Sequence, residues 1–499
     1  MENTHDIPDT QTPSEEVFYE PNDSSLSLEQ ALNFAPKYFD YSGFSGDTKQ
    51  RNIEKEAFTD GRQYLPQYEY PALVNHLTGG AEELSGDPEL GHQDQVRLLT
   101  NLQAVIEQHR VELGDEVADL YIGMYDTLIG RELLMHAAYK SLTAGSAESR
   151  QTWRNKFKEI NEALYGPIDV ELFESIISTE RRRLEGFEPI SEDDVEVKTY
   201  LENFYASTNI TEREEYEPID QELIDVYMPL IEEKYGHIFD AIPDTEDDVE
   251  YDANGVAEVI NSTLEAGGLY QKGWRCVVSS SRSSVSTNTA KQLIEIPSHD
   301  KRNAKQIKAL VIHEQEVHAR RGQNGLESRY PGLLANGTAN YADSEEGLAI
   351  ALECIVNGSA DDNPAIRRAR DRYINVGLAA GIGSTSGRDA RQVFEIAWRI
   401  EAVKIAKSLG KSIDKEIIKM AQSGQWGAYA HLENMFRGTS FAGQNDNYTK
   451  LKVYLEGVVK SAQILKLIKA DPERFDKLFI GKYDHTDSRE SALVNSIVG

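Results

Sequence analysis

The segment His313-Glu314-Gln315-Glu316-Val317-His318 packs two imidazoles and two further carboxylates into six residues. Imidazole nitrogens and carboxylate oxygens are the donors that zinc takes in catalytic sites. The common pattern is H-E-x-x-H on a helix: the two His share one face, and the Glu beside the first serves as general base toward a water. Here one extra residue intervenes. Five residues of regular α-helix turn through about 500°, which leaves the two rings about 140° apart around the axis. His313 and His318 can share an ion only if a π-type turn re-aligns them. On that condition Glu314 is the candidate catalytic base. The bland alternative is a solvated helix face that carries two His and two Glu.

Catalytic zinc sites use three protein ligands and keep one position open. A third candidate lies in Asp343-Ser344-Glu345-Glu346-Gly347-Leu348-Ala349. Glu346, followed by a glycine that lets its helix approach a neighbour, completes a two-His, one-Glu set. The competing reading is a helix start, with Asp343 as N-cap and Glu346 three residues on in a capping-box variant.

These residues need helices to carry them, and the pattern supplies helices. Apolar residues recur at three- and four-residue spacing over Gln93–Glu112, Asp115–Ser141, Arg150–Leu164 and Val170–Leu184. Two short β-type runs, Trp274–Ser279 and Gln292–Ile296, are joined by a Ser/Thr/Asn turn and lead into a helix over about Lys301–Arg321. The expected class is α+β, predominantly helical, a zincin-like arrangement with one small sheet beside the helix that carries the motif. Residues 1–45 read as a disordered acidic tail, 46–240 as a helical region and 241–499 as the catalytic region. The net charge of −32 opposes binding to nucleic acid or anionic lipid. With two cysteines there is no disulfide framework, which points to a reducing, cytoplasmic setting. No basic, then apolar, leader opens the chain, and no apolar run reaches membrane-spanning length.

In combination these motifs resemble the microtubule-associated tyrosine carboxypeptidase family and its bacterial relatives, named for a QEGLA motif and linked by name to flavohaemoglobin expression. The order matches: His313, Glu314, His318, Arg321, Asn324-Gly325, then Glu346-Gly347-Leu348-Ala349. Pro66-Gln67-Tyr68-Glu69-Tyr70-Pro71 is similar to the family's N-terminal stretch. Phe436-Arg437-Gly438, Tyr448-Thr449-Lys450 and Val453-Tyr454-Leu455 with Gly457 are similar to its C-terminal segments. Two departures stand out: Ser344-Glu345 precedes the Glu-Gly pair, and Leu451 replaces the family's Asp. The resemblance implies Glu346, immediately before the glycine, as the ligand in preference to Glu345. It implies a zinc-dependent carboxypeptidase that removes a C-terminal residue, tyrosine in the family, from a protein or peptide. Such an enzyme needs a cation for the substrate's terminal carboxylate, and Arg321, Arg437 and Lys450 are the motif-borne candidates. Glu316 is a candidate to hold a ligand histidine. The alternatives are a zinc endopeptidase or amidohydrolase, or a regulatory protein with a relic metal site.

Overall fold

The computed structural model describes residues 26–34, 48–61 and 88–498, apart from 247, 281, 283, 360–362, 425–426, 437, 440–442 and 444–445. The Pro66–Pro71 stretch lies outside the described residues, as do residues 1–25 and 35–45 of the expected tail.

Most of the described chain is helical. A short helix, α1 (Leu28–Leu32), is followed by α2 (Pro88–Gln108), α3 (Asp115–Thr143), α4 (Ala147–Tyr165), α5 (Val170–Glu185), α6 (Glu192–Ala206) and α7 (Gln221–Phe239). Their starts follow local chemistry. The side chains of Ser146, Asp169, Ser191 and Asp220 each accept a hydrogen bond from a backbone N–H of the first turn, satisfying donors that a helix start leaves open.

Residues 26–34, within the expected tail, hold the short helix α1. Ser27 and Gln30 form a reciprocal capping box, and the apolar face of this helix packs with α2 and α3. Tyr125 donates to the carbonyl of Ala31 at 2.7 Å and Tyr121 to that of Leu32 at 3.0 Å. The division at residue 240 is not a division of the core either. One apolar cluster runs from Leu172 and Phe173 through Ile231, Ile260 and Ile312 to Leu348 and Phe479.

The β structure is small. Strand β1 (Tyr251–Asp252) leads into α8 (Ala253–Ala266). Strands β2 (Arg275–Ser279), β3 (Ser286–Asn288) and β4 (Leu293–Pro297) form a sheet in the order β2-β4-β3, with β2 parallel and β3 antiparallel to β4. Strand β5 (Lys301–Arg302) returns to pair with β1. It occupies the place where the sequence pattern had suggested the start of a helix. The helix α9 instead spans Ala304–Leu310, after an Asn303–Gln306 capping box. Buried Trp274 donates its Nε1–H to Gln323 at 2.9 Å, fastening the start of β2 to the far end of the motif helix.

From α9 the chain continues without a break through a π segment, Val311–Ala319, into α10 (Arg320–Leu326). The π-type turn required by the His–His spacing is present over nine residues. Further along the chain come α11 (Tyr341–Asn357), α12 (Pro364–Ala379), α13 (Ala390–Leu409) and α14 (Val453–Ile468). Helix α11 begins at Tyr341 with no side-chain cap, so Asp343 is not its N-cap and Glu346 caps nothing.

Candidate metal centre

The π segment is fixed from its buried side. Gln315 is fully buried: its Oε1 accepts from the Thr263 hydroxyl at 2.8 Å, and its Nε2 donates to the Thr263 carbonyl at 3.0 Å. Glu316 is 1% exposed and accepts from Gln315 and from two nitrogens of Arg320. It is hydrogen-bonded to Gln315 and Arg320 rather than to a histidine, and it does not face solvent. With that side pinned, His313 and His318 emerge together on the opposite side, their ring centroids 5.0 Å apart.

The third group arrives by helix crossing. Helices α11 and α14 touch at Gly347 and Gly457, so closely that a Cβ built on Gly347 would lie 2.1 Å from the Gly457 carbonyl. This contact sets the depth of α11 and hence of Glu346. One ligand atom from each of His313, His318 and Glu346 lies within 4.8 Å of the others, and no other such group occurs among the described residues. His318 Nε2 and Glu346 Oε2 are 4.0 Å apart.

Each histidine is held from behind by a carboxylate. His313 Nδ1 is 3.0 Å from Glu353 Oε2, and His318 Nδ1 is 2.9 Å from Glu345 Oε1. A carboxylate at Nδ1 accepts a hydrogen bond from the ring N–H there and leaves the Nε2 lone pair free for a ligand bond. Burial pushes the His313 pKa down, but Glu353, Glu314 and Glu346 together raise it to about 9. A site that draws a proton so strongly onto an imidazole is an anionic pocket suited to a cation.

The donor set fits zinc. Two imidazoles and a carboxylate are a hydrolytic set with one position left open, and tetrahedral bonds of 2.0–2.2 Å need donors about 3.4 Å apart. The present separations close to that with small side-chain movements. Glu314 is not part of this three-residue cluster. Its Oε2 accepts from the Thr287 hydroxyl at 2.7 Å, so edge strand β3 aims it.

The expected cations fare differently. Arg321 is fully buried and donates to the carbonyls of Gly481 and Tyr483 at 2.9 and 2.7 Å. These bonds tie it to the C-terminal stretch. Arg437 lies outside the described residues. Lys450 is half-buried on the single turn Thr449–Lys452. A basic face that sequence reasoning passed over lies on α12. Burial and the charges of Arg372, Arg302 and Arg367, opposed by Glu353, push the Arg368 pKa down to about 10. Arg368 therefore stands close to the carboxylate that holds His313. Arg372 stacks its guanidinium 4.3 Å over the Tyr454 ring, and its Nε is buried without a hydrogen-bond partner.

Residues 231–381 match the model of a family described as microtubule-associated tyrosine carboxypeptidase. The matched stretch is under a third of the chain. It holds His313, Glu314, His318 and Glu346, with Glu345 and Glu353, and it excludes Gly457 and everything beyond. The match supports that family over this stretch and does not extend to the bacterial relatives. No curated protein and no solved structure matches the chain. No helix among the described residues is long and apolar enough to cross a membrane.

Proposed function

We propose that this chain is a zinc-dependent, zincin-like peptidase that removes a C-terminal residue from a protein or peptide. The observation that carries this reading is the convergence of His313, His318 and Glu346 across a π segment, with a non-ligand glutamate aimed beside them. A zinc ion held by these three residues would supply Lewis acidity toward a scissile carbonyl. The other roles belong to the chain. Glu314 removes a proton from the attacking water and passes it to the leaving amine. Thr287 orients Glu314 through the 2.7 Å hydrogen bond. Glu345 and Glu353 keep Nδ1 of each imidazole protonated.

Restriction to chain ends requires a cation for the terminal carboxylate. With Arg321 committed to backbone carbonyls, Arg437 and Lys450 remain candidates, and Arg372 joins them because its Nε lacks a partner. The test is zinc content together with digestion of a peptide library, read by mass spectrometry. Loss of single C-terminal residues, abolished when the C-terminus is amidated, is the expected result. Internal cleavage would instead favour an endopeptidase. A metal-free protein with full activity would overturn the proposal.

A further inference from the structure

The C-terminal stretch Phe479–His485 lies about a hundred residues beyond the family match, yet it runs directly behind the candidate metal centre. Asn324 donates to the Phe479 carbonyl at 2.6 Å, Arg321 to those of Gly481 and Tyr483, and Ser344 to that of Tyr483 at 3.1 Å. The backbone of Lys482 is tied on both sides: its N–H donates to the Leu334 carbonyl at 2.7 Å, and its carbonyl accepts from Thr338 at 3.1 Å. These ties aim the Lys482 amine at Glu345, with Nζ 3.4 Å from Oε1. That is the same oxygen that receives His318 Nδ1.

We infer that Lys482 is a positioning residue: it holds the Glu345 carboxylate against His318 and so presets that imidazole for the metal. The inference rests on the metal-site reading above. Glu345 is 2% exposed, and a carboxylate buried that deeply needs cationic partners. It has two within 4.0 Å, Lys482 on the His318 side and Arg321 on the other. Glu345 Oε2 and Arg321 Nη1 face each other at 4.0 Å, and neither makes a hydrogen bond. The carboxylate thus sits closer to Lys482, at 3.4 Å, than to Arg321, at 4.0 Å. Without that amine, the buried anion turns toward Arg321 and releases His318. The ring is then free to flip or change tautomer, and the Nε2 lone pair is no longer fixed toward Glu346. Direct repulsion between Lys482 and a bound cation works in the opposite sense, but Glu345 lies between them and screens it.

The experiment compares full-length wild type, Lys482→Met, Lys482→Arg, Glu345→Gln and the Lys482→Met/Glu345→Gln double variant. Zinc affinity is measured by chelator competition, and the thermal midpoint is measured without metal. Disturbing partners behind a ligand histidine lowers metal affinity by about 10- to 100-fold, so Lys482→Met should lose about 10-fold and Lys482→Arg should recover most of it. In the Glu345→Gln background, Lys482→Met should change affinity no further. An equal loss in both backgrounds, or unchanged affinity with only a lower melting point, overturns the inference. Imidazole ¹⁵N shifts of His318 in metal-free protein give a separate readout. A fixed Nδ1–H tautomer in wild type should become a mixture in Lys482→Met, and an unaltered tautomer overturns the positioning role. If wild type binds no zinc, the metal reading fails, while the tautomer result still decides whether Lys482 positions His318.

Discussion

Replacing Gly347 with Ala tests whether the crossing of α11 and α14 sets the metal centre. The new Cβ would lie 2.1 Å from the carbonyl carbon and oxygen of Gly457, whereas ordinary contact begins at 3.4 Å. The obstacle is backbone on both sides, so no side chain can swing away. The helices must part by about 1.3 Å. Overpacking of this kind costs about 1–3 kcal/mol. His318 Nε2 and Glu346 Oε2 start 4.0 Å apart, so a shift of α11 on this scale, in either direction, disturbs their placement around one ion. Bonds of 2.0–2.2 Å let one ion span at most about 4.3 Å, even in a straight line. Rotation of the Glu346 side chain recovers part of the displacement, so the expected loss of zinc affinity is about 10- to 100-fold, the range that disturbing the support of a ligand costs. Chelator competition measures this, with the melting point of metal-free protein recorded alongside. Gly145→Ala is the control, because nothing lies within 4 Å of its Cβ position. Wild-type zinc affinity in Gly347→Ala would refute the claim that this contact positions Glu346.

Glu314→Gln should retain zinc and lose turnover by about 100- to 10,000-fold, since the amide cannot take the water's proton. Near-normal kcat would remove Glu314 from the base role. Glu346→Gln should lose zinc far more than Glu345→Gln if, as proposed, only the first is a ligand; zinc titration of both variants distinguishes ligand from supporting carboxylate. The His313 pKa is raised, so its proton competes with the metal. Apparent zinc affinity should rise with pH up to about 9, and the stability His313 lends the metal-free protein is full below 6.5 and lost as pH rises through about 9. Burial, then Asp371 and Glu180 against Lys404, push the Glu401 pKa up to about 7. An acid whose pKa is raised by folding costs stability as pH climbs from 4.5 toward 7, so Glu401→Gln should melt higher than wild type at pH 8 and not at pH 4.

The cluster of His313, His318 and Glu346 was legible because residue type and spacing both constrain it. The five-residue gap between His313 and His318 is a geometric demand, and the π segment meets it. The supporting carboxylates were harder to see. Glu353 follows Glu346 by seven residues, which returns it to nearly the same face of α11; that periodicity was an available signal. The burial of Arg321 was not legible, because proximity in sequence to His318 says nothing of helix phase, and beyond the π segment this side chain turns into the interior. The short helix at Leu28–Leu32 carried its own sign in Ser27 and Gln30, a capping pair with apolar residues on either side. Acidic composition around it concealed that sign. Lys482 had no local signal at all, since its role comes from a contact across some 140 residues of chain.

The π segment also has a mechanical meaning. A helix works as a screw thread, and the wide turn at Val311–Ala319 changes the pitch midway along it. The upstream half is phased to bury Ile307 and Leu310. The downstream half is phased to offer Arg321 and Asn324 to the C-terminal stretch and Gly322 to the turn after β3. Removing one residue between the histidines would restore the common H-E-x-x-H spelling and a uniform thread. It would also rotate everything beyond by about 100°, stripping the guanidinium and amide from their carbonyl partners. The added residue is therefore a phase adjustment that reconciles two otherwise mismatched halves of the protein around one ion site.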